Sequence, residues 1–147
     1  AVNLFFEARG ESPLGQRWVL DVVRNRVKSK HYPSTYCEVI TQYKQFSWYN
    51  NIGPKLHKEP TFWHHYIENK YQENPLEMKA WEESFSRAII HYLIDDGDYS
   101  NGSLFYMTFD TYLKRGAWDN VEVTTMTGEH IFFKLKTSKG KQNVYNF

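Results

Sequence analysis

Two stretches of this chain open on the same signal, and that signal decides most of what it can fold into. Ser12-Pro13 and Asn74-Pro75 each set a capping side chain directly before a proline. This starts a helix because proline lacks only an N–H that the first turn leaves unbonded in any case. After Ser12, the residues Trp18, Val19, Val22, Val23 and Val27 share one helical stripe, while Gln16, Arg17, Asp21, Arg24 and Lys28 lie largely opposite. The pattern predicts an amphipathic helix ending near Lys30. After Asn74, with Glu77 completing the cap, Leu76, Ala80, Trp81, Phe85, Ala88, Ile89, Tyr92 and Leu93 keep helical spacing as far as Asp95 and Gly97.

Shorter helices are predicted around these two. Val2 to Ala8 is apolar with one intruder, Glu7, and stops near Gly10; Thr35 with Glu38 resembles a capping box opening a turn through Val39 and Ile40. Phe62, Trp63, Tyr66, Ile67 and Tyr71 suggest one more helix, whereas Gln45 to Ile52 reads as a loop. The final third changes period. Ser103 to Met107 is short and apolar, Val121, Val123 and Thr125 alternate with polar residues, and Ile131 to Leu135 follows the turn residues Thr127-Gly128, which together read as a hairpin. Helices first and a small antiparallel sheet afterwards make an α+β domain. Lys134 to Lys141 reads as a solvated basic end.

Composition narrows the function classes. A chain of 147 residues is expected to form one domain, residues 1–147, with a core that needs no covalent staples. Its single cysteine, Cys37, excludes an internal disulfide framework and a cysteine-rich zinc site, and its helical apolar setting suits an inert buried thiol. Eighteen basic against 17 acidic residues leave a net charge of +1, which argues against nucleic acid or an anionic membrane as partner. No apolar run approaches the roughly 18 residues of a membrane span, and Ala1 opens no signal-peptide pattern, so a soluble chain is expected. The unusual quantity is an aromatic content of 18%, rings that either fill a core or line a site stacking on flat or ring-shaped ligands.

Two segments carry candidate chemistry. In Phe5-Phe6-Glu7-Ala8-Arg9-Gly10-Glu11 a carboxylate beside two phenylalanines is costly to keep charged, so Glu7 should hold its proton as a general acid does. Glu11 stands four residues on; the plainer alternative makes both acids surface residues, one of them neutralised by Arg9. In Gln45-Phe46-Ser47-Trp48-Tyr49-Asn50-Asn51, amides and a hydroxyl sit among rings, the combination that holds sugars; single-stranded nucleic acid would need a more basic groove than Lys44 and Lys55 supply. The alternative places Phe46 and Trp48 in the core. His64 and His65 are adjacent and point apart, and His57, His91 and His130 show no ligand spacing, so neither a metal nor a cofactor is expected.

Taken in order, Glu7-Ala8-Arg9-Gly10-Glu11, Gly15, Arg24-Asn25-Arg26-Val27-Lys28-Ser29, Tyr32-Pro33, Cys37-Glu38-Val39-Ile40 and Gln45-Phe46-Ser47 resemble the cell wall hydrolase family of spore cortex-lytic enzymes, the SleB type. Ser86-Arg87-Ala88-Ile89, Asn101-Gly102-Ser103-Leu104-Phe105-Tyr106, Trp118 and Gly128-Glu129-His130-Ile131-Phe132-Phe133 extend the resemblance over nearly the whole chain. It implies a lysozyme-like α+β fold that cuts peptidoglycan glycan strands between N-acetylmuramic acid and N-acetylglucosamine, as a lytic transglycosylase. Glu7 would be the catalytic residue, with Glu11, Gln45, Ser47, Trp48 and Tyr106 binding substrate. Action at the bacterial wall, periplasm or spore cortex, and a monomer, are expected. Phage lysins carry the same motif set. The stretch from Ser47 to Leu76 departs from the family as an aromatic insert, in which Trp63 and Tyr66 are further groove candidates. Two other readings stay open: a hydrolytic muramidase using Glu11 or Asp110 as second carboxylate, and a wall-binding module without catalysis.

Overall fold

The computed structural model describes residues 1–42, 45–52 and 60–136; Lys44, Lys55, His57 and the basic tail beyond Lys136 lie outside them. Among the described residues seven helices and three strands follow in order: α1 Val2–Ala8, α2 Pro13–Lys28, α3 Tyr36–Ile40, α4 Ser47–Ile52, α5 Pro60–Tyr71, α6 Pro75–Leu93, β1 Phe105–Thr108, α7 Phe109–Arg115, β2 Val121–Met126 and β3 His130–Leu135. This is the expected α+β arrangement, with a small antiparallel sheet towards the C-terminus. Among the described residues no helix is long and apolar enough to cross a membrane.

The predicted caps are in place. Ser12 Oγ accepts the Gly15 N–H at 3.2 Å, Thr35 Oγ1 that of Glu38 at 3.2 Å and Asn74 Oδ1 that of Glu77 at 3.2 Å. Two expectations change. Gln45 to Ile52 is not all loop, because Ser47–Ile52 forms α4, too short to show a period. A helix that periodicity had not suggested, α7, is capped by Thr108 and closed by Gly116 at φ 72, a left-handed conformation that glycine adopts without a Cβ penalty.

The central helix is α2. Its apolar stripe is buried as predicted, with Val19 and Val22 fully inside. The opposite face is not left to water: Gln16, Asp21 and Arg24 are also buried, because α6 and the following loop cover them. Asp21 there accepts from Arg17 Nε at 2.9 Å and from the Tyr99 N–H at 2.9 Å, and meets His91 Nε2 at 2.7 Å. Conversely, α6 carries more apolar surface than the fold covers, so Trp81 is buried while Tyr92, expected in the core, is 66% exposed.

The sheet has the order β1-β3-β2, with Tyr106 opposite Phe132 and Thr108 opposite His130. Its central strand is buried on both sides, which is why it reads as a run, Ile131-Phe132-Phe133, rather than an alternation. Phe132 packs with Leu4, Ala8, Val19 and Val22, tying the sheet to α1 and α2. Ile131 and Phe133 pack on the other side with Phe105, Met107 and Val121. These contacts bring the end of α1, the start of α2 and the start of β3 to one place.

Candidate active site

At that junction Glu7 stands one residue before the end of α1. Burial pushes its carboxyl above the ordinary range for glutamate; a hydrogen bond from Tyr106 and the charges of His130 and Arg26 pull the other way without cancelling it. The bond runs from the Tyr106 hydroxyl to Glu7 Oε2 at 3.0 Å. Tyr106 is itself held well above the ordinary phenol range by burial and by Glu7, so it remains a donor. Its ring is pinned edge-on by His130 at 5.4 Å and obliquely by Phe132 at 5.5 Å. Glu7 is thus a half-buried acid that holds its proton to higher pH than an exposed glutamate, with one neutral donor aimed at it.

Glu11 is brought close through a different set of contacts. The chain turns after Ala8, as Gly10 and Ser12 suggested, and the Glu11 carboxylate meets His130 Nδ1 in a short contact while accepting from Thr127 Oγ1 at 3.0 Å. Thr127 Oγ1 also accepts the N–H of His130 at 2.9 Å and of Glu129 at 3.3 Å, so the turn between β2 and β3 closes around the acid. The absence of a side chain at Gly15 makes room for this: a Cβ there would lie 3.0 Å from Glu11 Oε2 and 2.9 Å from Thr127 Cγ2. Arg9 neutralises neither acid. It pairs with Glu77 at 2.7 Å and rests over the Phe5 ring at 4.4 Å.

The remaining sequence-selected residues divide. Gln45 is half-buried and shares a cavity wall with Tyr106. Ser47 is exposed at the start of α4. Trp48, expected to line a groove, lies in the core at 8% exposure, stacked on Phe6 at 5.0 Å with its indole N–H donated to Asn3 Oδ1 at 2.8 Å. The core alternative describes it, and Phe46, Tyr49 and Trp63 are buried in the same cluster, with Tyr66 packed against it. Asp110 sits on an exposed face of α7, paired with Lys114 at 2.7 Å.

Sequence spacing missed two things. Arg26 is buried and lines the same cavity as Tyr106, 80 residues further along the chain. Among the described residues Glu11, Glu129 and His130 bring three potential ligand atoms within 4.8 Å of one another, a grouping hidden by the distance from Glu11 to His130 along the chain. Two of those three atoms already bond each other.

Comparison with known proteins shows the family and agrees with the fold. A family model described as Cell Wall Hydrolase matches residues 10–133, a stretch beginning three residues after Glu7. The catalytic domain of the Bacillus cereus SleB protein superposes with a TM-score of 0.54 at 25% identity, covering 90% of this chain and 85% of that one. The catalytic domain of the germination-specific lytic transglycosylase SleB from Bacillus anthracis gives 0.52 at 24% identity, covering 90% and 89%. No curated protein matches significantly.

Proposed function

This chain belongs to the cell wall hydrolase family, and from that premise we propose that it cuts the glycan strands of peptidoglycan as a lytic transglycosylase, with Glu7 as the single catalytic carboxyl group. The bond is the β-1,4 link from N-acetylmuramic acid to N-acetylglucosamine. Protonated Glu7 gives its proton to the glycosidic oxygen as the bond to the muramic anomeric carbon breaks, and the glucosamine end leaves as an alcohol. The resulting Glu7 carboxylate then takes the proton of the muramic 6-hydroxyl, whose oxygen closes on the anomeric carbon. The acid is restored, and the product is a 1,6-anhydro end formed without water.

The observation that carries this reading is the contrast between the two glutamates of the motif. Glu7 is half-buried, raised and touched by one neutral donor, whereas Glu11 is engaged by His130 and Thr127. A hydrolytic muramidase would ask a second carboxylate to hold water or the sugar. Neither Glu11, so engaged, nor Asp110, paired with Lys114 in the open, supports that role. On this reading Tyr106 orients the acid, Gln45 on the cavity wall beside Tyr106 and the exposed Ser47 contact substrate, and residues 1–147 act as one catalytic unit.

Mass spectrometry of digested peptidoglycan tests the proposal. Muramic ends one water lighter than reducing ends are expected, and Glu7→Gln should lower their release roughly 10²- to 10⁴-fold. Reducing ends would replace the transglycosylase by the muramidase; full activity in Glu7→Gln would remove Glu7 from the mechanism. Binding to sacculi with no fragments released would leave a wall-binding module.

A further inference from the structure

Next to Tyr106 opens a cavity of about 240 Å³, walled by Arg26, Tyr32, Gln45, Tyr106, Arg115 and Trp118. Its floor is unusual. Arg26 is only 4% exposed; its Nε donates to the Leu104 carbonyl at 2.7 Å, but among the described residues its buried Nη1 has no hydrogen-bond partner. The guanidinium is flanked by the rings of Tyr32 and Phe46 at 5.1 and 5.2 Å, which hold its plane but accept no N–H. Across the cavity Arg115 leans on the Trp118 ring at 5.6 Å. Among the described residues neither arginine is in a salt bridge; the acidic groups that act on Arg26 are Tyr32, Tyr106 and Glu7, of which only Glu7 is a carboxyl group.

A buried cation without a hydrogen-bonded counter-ion is expensive. The cost is greatest when Glu7 carries its proton, the form the first step of cleavage requires, because the cavity then holds two guanidiniums and no negative charge. A carboxylate fits this deficit: it is flat, it accepts two N–H bonds from a guanidinium, and it sits beside the reacting sugar. Resting on the peptidoglycan reading above, we propose that this cavity receives the carboxylate of the acidic side chain on the muramic residue held at Glu7. The enzyme therefore favours muramic residues with an open, anionic side chain over neutral ones, in which that carboxyl is amidated or closed into a lactam. Arg26 and Arg115 are specificity-determining residues on this account.

The test uses peptide-free glycan strands bearing free lactyl carboxylates, and the same strands converted to methylamides. Glu7→Gln protein, with the full chain otherwise intact, is titrated with each by calorimetry. Roughly tenfold tighter binding of the carboxylate strands is expected, the worth of one charge-assisted hydrogen bond. Arg115→Ala and Arg26→Lys, each added to Glu7→Gln, should remove most of that preference while leaving methylamide strands unaffected. Equal affinity for the two strands, affinity for neither, or a loss equal on both in the arginine variants would overturn the proposal. Arg115 is exposed, so its variant keeps the test decisive if changes at Arg26 disturb folding. The outcomes separate from the activity reading. Wild-type protein that cuts both strands with equal KM refutes the cavity assignment alone, and a carboxylate preference without any cutting refutes the activity alone.

Discussion

Replacing Gly15 by alanine probes the bracket that holds Glu11 and His130. Gly15 occupies the third position of α2, where alanine would normally gain at most about 1 kcal/mol of helix stability. Here the new Cβ would lie 2.9 Å from Thr127 Cγ2 and 3.3 Å from Glu11 Cβ, well inside the roughly 3.5–4.0 Å at which carbons attract. Thr127 cannot swing its methyl aside without losing the N–H bonds of Glu129 and His130 and its own bond to Glu11. Overpacking of this kind costs about 1–3 kcal/mol. Set against the helix gain, a net loss of about 1 kcal/mol follows, lowering Tm by about 3 °C for a chain of this length. Scanning calorimetry measures it, and a double-mutant cycle locates it. In a Thr127→Ser background the offending methyl is gone and the hydroxyl kept, so Gly15→Ala should cost at least about 0.5 kcal/mol less there. A rise in Tm for Gly15→Ala, or the same cost in both backgrounds, refutes the bracket.

Other perturbations read the same site. Tyr106→Phe removes the hydrogen bond that draws the Glu7 carboxyl downward, so the alkaline limb of the pH–rate profile should move to higher pH; a downward shift would mean that Tyr106 acts on Glu7 in another way. Glu7→Gln should unfold no more easily than wild type at neutral pH. A carboxyl raised in the folded state costs the native protein stability as pH climbs from the ordinary glutamate range through the raised value, and glutamine escapes that cost. The advantage of the variant should vanish below the ordinary range, as urea titrations at several pH values will show. Trp48→Phe should cost about 1–3 kcal/mol, by leaving the buried Asn3 oxygen unpaired, while affinity for glycan strands stays unchanged; weakened binding without lost stability would return Trp48 to the groove.

What the sequence disclosed depended on how far each effect reaches along the chain. The caps at Ser12, Thr35 and Asn74 are satisfied within three residues, so local pattern was enough to find them. The burial of Gln16 and Asp21 depends on partners more than 60 residues away, among them Arg87 and His91, and a helical wheel can only show them as polar. Trp48 misled for the converse reason. A six-residue helix has too few turns to display a period, so a core ring looked like a ring without a structural excuse.

The same distinction bears on the acid itself. Phe5 and Phe6 suggested a raised carboxyl at Glu7, and the carboxyl is raised, yet those rings face other partners: Phe5 packs on Tyr71 and Trp81, Phe6 on Trp48 and Trp63. The polar groups that act on Glu7 are Tyr106, His130 and Arg26, from β1, β3 and α2. A helix as short as α1 has little stability of its own, and its last carbonyls are held by Gln16 Nε2 on Ala8 at 3.1 Å and by Arg9 Nη1 on Phe5 at 3.1 Å. What places Glu7 is therefore the packing of α1 against α2 and the sheet, and what ties the start of the central strand to the turn after α1 is Glu11 bonded to His130. The second glutamate of the motif is thus bonded to the residue that opens β3, and that residue, His130, is one of the groups that act on the first.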